Sequence, residues 1–160
     1  MVAKIYWRKV LSQRRLEYLS SVVNTLIFSV LYAWMEETGT VRDVEIISKV
    51  IFLGFKVYHL FPMFVLAIIV CGAPFWDDLI YKLNPIVEKV KTFTLMWTNI
   101  LLFALVEDIF YFVFAPFPIR PFDWTARWGY IDIGFTVIPY WYIASVIILV
   151  VLYWYVFKGD

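Results

Sequence analysis

Four long apolar stretches dominate this chain, and a helix needs about 20 such residues to cross the hydrocarbon of a bilayer. They cover residues 16–35, 46–70, 90–115 and 135–157. The runs are continuous rather than alternating, which favours helices over the strands of a membrane barrel. Turn chemistry falls between them. Glu36-Glu37-Thr38-Gly39-Thr40 ends the first, Gly72-Ala73-Pro74 closes the second, and Asn84-Pro85 opens the third. Pro116, Pro118 and Pro121 end the third, since proline removes a helix donor and clashes with the preceding turn. Pro62 should kink the second span. The expected fold is all-α, an integral membrane four-helix bundle forming a single domain over residues 1–160.

Composition argues the same way. Hydrophobic residues make up 63% of the 160 and charged ones 17%, against about 45–50% and about 25% in soluble domains. A core of this size cannot hide that much apolar surface, so lipid should cover the excess. The 21% aromatic content suits belts at the two bilayer interfaces. A net charge of +1 gives no reason to expect a nucleic-acid partner. Cys71 is the lone cysteine, which excludes an intrachain disulfide and a thiolate metal cluster.

Lysine and arginine set the orientation. Nine lie in the N-terminal arm, the 71–91 connection and the tail, and three, Arg42, Arg120 and Arg127, lie on the other side. Both termini are therefore expected in the cytoplasm of a multi-pass cell-membrane protein. Residues 4–15 interleave basic groups with Ile5, Tyr6, Trp7, Val10 and Leu11, a pattern for a short amphipathic helix on the cytoplasmic leaflet. No A-x-A cleavage site follows, so the first apolar stretch is read as a retained span.

Ionisable groups inside a membrane cost at least about 2.5–3.5 kcal/mol each, which makes them functional candidates. Lys49, Lys56, His59, Glu107 and Asp108 fall within the expected spans. Lys49 can snorkel to the surface. Lys56 and His59 share one stripe of the second helix, and Lys56 and Glu107 come to similar depths, roughly 3 and roughly 5 Å from the bilayer centre. An interhelical pair between the cations and Glu107 is the expectation. Glu107 and Asp108 point about 100° apart, so the second carboxylate should face a third helix or a cavity. Asn24 and Asn99 supply polar groups in the other walls. Intramembrane carboxylates suit general acid work or proton relay; ion pairing that only fixes helix register is the competing reading.

The connection over residues 116–134 is rich in proline and carries Phe122, Trp124, Trp128 and Tyr130 beside Arg120, Asp123, Arg127 and Asp132. It reads either as an aromatic belt with snorkelling arginines or as a lid over the carboxylates. Phosphate-binding glycine loops, GxSxG and HExxH are absent. A carboxylate metal site on Glu107, Asp108 and His59 is the weaker reading, and no cofactor is implied.

The hexapeptide Glu107-Asp108-Ile109-Phe110-Tyr111-Phe112 resembles the E-E-x-x-F-F element of the membrane-embedded heterodimer-type carotenoid (lycopene) cyclases. That resemblance implies a small helical protein acting on an isoprenoid within the bilayer through intramembrane acids. A longer pattern, Glu107-Asp108, Pro116, Phe122, Trp124-x-x-x-Trp128 and Pro139-x-Trp141-Tyr142, is similar to one in uncharacterised prokaryotic polytopic membrane proteins. Thr125 stands where those proteins often carry His. The leading expectation is a site that binds or transforms a hydrophobic lipid or isoprenoid molecule. Glu107 and Asp108 are its acid/base groups, and Lys56, His59, Asn99, Trp124, Arg127 and Trp128 contact the ligand. The alternative is a non-catalytic accessory subunit of a larger membrane complex. Membrane lipids are expected partners in either case.

Overall fold

Residues 2–37 contain neither glycine nor proline, so nothing in the backbone interrupts a helix there, and α1 runs unbroken over Val2–Glu37. The computed structural model describes residues 2–38, 50–52, 55–56, 64–81, 86–115 and 117–158. Within them the chain is mostly helical. After α1 come strands β1 (Val50–Phe52) and β2 (Phe55–Lys56), then helices α2 (Phe64–Cys71), α3 (Ala73–Tyr81) and α4 (Ile86–Phe114). A 3₁₀ turn at Trp124–Ala126 and strands β3 (Tyr130–Asp132) and β4 (Val137–Pro139) lead into α5 (Tyr140–Phe157).

Among the described residues, three helical segments are long and apolar enough to cross a membrane: Arg14–Glu37, Glu88–Phe114 and Tyr140–Phe157. The expected span over 46–70 is corrected where it is described. Val50 pairs with Lys56 and Phe52 with Phe55 in an antiparallel hairpin, and among the described residues of this stretch helix is confined to the eight-residue α2. Eight residues rise about 12 Å, well short of a bilayer's hydrocarbon. The cause is local. Val50 and Ile51 are β-branched and favour extended backbone. The kink expected at Pro62 lies outside the described residues.

Three further expectations change. The amphipathic start is the first part of α1, not a separate helix. The 71–91 connection holds α3. The last helix begins at Tyr140, because Val137 and Ile138 are in a strand and Pro139 (φ −59°) turns the chain into the helix.

α4 is the central helix, with α1 and α5 packed along it and α2–α3 against its first half. α1 and α4 run parallel: Arg14 meets Glu88 at one end, and Glu36 meets Glu107 at the other. α5 runs back between those ends, bringing Phe157 to Tyr18 and Tyr142 to Asp108. Two apolar layers fill the middle. One joins Tyr18, Leu95 and Val156, and the other joins Tyr32, Ala67, Cys71 and Phe103. Between them lies a polar tier, where Asn99 donates to Ser21 Oγ at 2.9 Å and accepts from Tyr153 Oη at 2.7 Å. Thr25, Ser29, Thr94 and Thr98 return their hydroxyls to carbonyls four residues back on their own helices, which satisfies them without water. The break between α2 and α3 is at Gly72. A Cβ there would lie 2.4 Å from the Ile68 carbonyl oxygen and 2.6 Å from Trp76 Nε1, and that indole donates to the same carbonyl at 3.1 Å.

Candidate functional site

Successive side chains on a helix diverge by about 100°, and Glu107 and Asp108 use that divergence to face different neighbours. Both are buried, 5% and 2% exposed. Glu107 turns to α1, where its carboxyl meets that of Glu36, itself buried. Asp108 turns to α5 and the preceding connection. Its Oδ2 accepts from Thr125 Oγ1 at 2.7 Å and from Tyr142 Oη at 2.5 Å.

The connection over residues 117–139 is built to place Thr125. Asp123 Oδ2 accepts from the Arg120 backbone N–H at 2.6 Å and tightens the turn. The 3₁₀ turn then rotates Thr125 inward until it is fully buried. Trp141 Nε1 donates to both the carbonyl and the hydroxyl of Thr125, at 3.1 and 2.9 Å. Gly129 locks the other side. Its φ of +108° is left-handed, and a Cβ would meet the Tyr140 ring at 2.7 Å. The β3–β4 pairing returns the chain to α5.

The residues expected to contact a ligand divide. Asn99 is fully buried but lies two helical turns from Glu107, about 12 Å along α4, and its amide is used to join α4 to α1 and α5. Trp128 is 84% exposed and Arg127 is also exposed, so neither closes over the carboxylates. Trp124 opens the 3₁₀ turn. Lys56 sits in β2, while His59 and Lys49 lie outside the described residues. The partner the structure gives Glu107 is another acid, Glu36. That residue reads in sequence as part of a helix stop, and Tyr142 reads as one more interfacial aromatic. Thr125 is conspicuous in sequence only as the position after Trp124 in the longer pattern.

Among the described residues no three His, Cys, Asp or Glu side chains are arranged to hold a metal ion. The arrangement that is present can hold and pass a proton: an acid pair across α1 and α4, and a carboxylate between two hydroxyls. No protein family, no curated protein and no solved structure matches the chain.

Proposed function

We propose that the chain is a small multi-pass membrane protein whose buried acids, Glu36, Glu107 and Asp108, form a proton-bearing site for a hydrophobic lipid or isoprenoid molecule. Glu107 and Asp108 act as acid and base, and the 117–139 connection caps them. The meeting of two buried carboxyls, Glu36 and Glu107, from neighbouring helices carries this reading. A proton shared by such a pair would sit at the end of an apolar bundle, the form an acid must take to protonate an apolar substrate. The exterior supports the membrane: only 22% of the α5 span is buried, and Ile147, Val150, Val151 and Trp154 stand exposed. Continuous apolar surface of this kind is not left to water. The likeness of residues 107–112 to the carotenoid cyclase element favours an isoprenoid among hydrophobic substrates.

A second reading has its own observation. Asp108 and Asn99 are engaged by protein donors from neighbouring elements, as expected of polar contacts that hold helices together. The protein would then be an accessory subunit whose apolar faces meet other subunits. Native mass spectrometry of gently extracted wild type and Glu107→Gln separates the two. A retained hydrophobic molecule that wild type converts and the folded variant does not supports the acid site. Stable partner subunits with no small molecule, unchanged by the variant, support the accessory role.

A further inference from the structure

At the opposite end of the bundle a cleft of about 420 Å³ opens between α1 and α3. Arg14, Glu17, Asp77 and Asp78 supply its charged lining, three carboxylates against one guanidinium. That guanidinium is already committed. Its two terminal nitrogens lie 2.7 Å from Asp78 Oδ1 and 2.7 Å from Glu88 Oε2. Glu17 and Asp77 are exposed on the cleft's rim, and among the described residues neither is in an ion pair. The cleft is therefore negative and presents hydrogen-bond acceptors. The rest of its lining is mixed: Ser20, Ser21, Asn24 and Thr92 bring polar groups, while Leu16, Val70 and Pro74 form an apolar wall, Leu16 being 66% exposed. The apolar segment of α1 begins at Arg14, so acids and apolar wall meet where a headgroup layer would give way to hydrocarbon.

We infer that this cleft binds the primary ammonium group of an amphiphile, with Glu17 and Asp77 receiving the ammonium hydrogens and the Leu16–Val70–Pro74 wall receiving the adjoining apolar chain. An ammonium offers three donors, and bonds to carboxylates are the strong, charge-assisted kind. The inference rests on the membrane reading above for its lipid source, an ethanolamine phospholipid; a soluble primary amine has the same chemistry.

The test places the full chain in nanodiscs of equal ethanolamine, choline and glycerol phospholipids with matched acyl chains, and counts retained lipids by native mass spectrometry. Ethanolamine lipid should be retained about tenfold over choline lipid, whose quaternary nitrogen has no hydrogen to donate, and glycerol lipid should be excluded. Glu17→Gln with Asp77→Asn should abolish the preference without lowering thermal stability, since both positions are exposed; Asp77→Asn alone serves if the pair does not fold. Spermidine titrated by calorimetry in detergent addresses the soluble source, and saturable binding lost in the variant would assign the cleft to a free amine. Equal retention of ethanolamine and choline lipids together with no spermidine binding overturns the inference. So does a preference that survives in the variant. An alkaline carbonate wash that releases the chain from membranes would overturn the membrane reading alone, and the spermidine titration would still decide the cleft.

Discussion

The two ends of the bundle handle buried charge in opposite ways. At the Arg14 end, opposite charges meet: one guanidinium is bracketed by Asp78 from α3 and Glu88 from α4, with Lys91 Nζ 4.0 Å from Glu88. At the Glu107 end, three acids gather with hydroxyls, and the described cations of the neighbouring connection, Arg120 and Arg127, are exposed. Arg120 lies over the Phe117 and Phe122 rings instead. An ion pair is geometrically demanding, and it suits a joint that must hold α3 against α1 and α4. A buried carboxyl pair suits a site that exchanges a proton. Under the proposed function, the difference separates a structural end from a chemical end within one short bundle.

The comparison breaks most easily at the structural end. Arg14→Ala would leave Asp78, whose side chain is 6% exposed, without its guanidinium. Stranding one partner of a buried ion pair costs about 3–5 kcal/mol. A denaturant or thermal unfolding series in detergent should register that loss, and Arg14→Ala combined with Asp78→Asn should recover part of it. If the single variant unfolds like wild type, the joint is ornamental and the two ends are not distinguished by strength.

At the chemical end the expected losses are smaller, because hydroxyls rather than ions lose their partner. Asp108→Ala removes the acceptor shared by Thr125 and Tyr142; stranding the buried Thr125 hydroxyl costs about 1–3 kcal/mol, and the half-buried Tyr142 adds less. Asp108→Asn keeps an acceptor oxygen and should lose less in the same unfolding measurement. Equal losses for Ala and Asn would show that the hydroxyls do not depend on that carboxylate. In the middle tier, Asn99→Ala removes one contact to α1 and one to α5. Hydrogen bonds between membrane helices average only about 0.6 kcal/mol, reaching about 1.7, so a loss well above that range would place Asn99 outside a merely cohesive role.

These contrasts also mark what could be read from the residues. The mostly helical class, the runs that became α1, α4 and α5, and the placing of Glu107 and Asp108 inside a helix of the bundle follow from composition and span length, which are properties of contiguous sequence. The second span differs where it is described because apolar length does not distinguish a crossing helix from paired β-branched strands and a short helix. Arg14–Asp78–Glu88 stayed hidden because its members are separated by 64 and 74 positions, and parallel packing of α1 on α4 is needed to bring them together. Glu36 was hidden for a different reason. An acid beside Glu37-Thr38-Gly39 has sufficient local explanation as a helix stop, and only the depth of Glu107 on a parallel neighbour gives it a second role. Thr125 turns inward through a 3₁₀ turn, where helical periodicity carries no information.

The smallest expected effect tests the distinction between the ends most sharply. In Glu107→Gln the amide presents a donor and an acceptor in the place of the carboxyl, so a contact with Glu36 can persist. Stability should change by less than about 1 kcal/mol, the scale of one hydrogen bond remade, even though the exchangeable proton is gone. Turnover of a bound hydrophobic molecule should vanish in the same sample, so fold and chemistry part company at this residue. A stability loss above about 3 kcal/mol would have the opposite meaning, since that is the signature of a buried ion losing its counter-ion. Glu107 would then be a charged partner of a cation, with Lys56 and His59 the first to examine, and the two ends of the molecule would be built on the same principle after all.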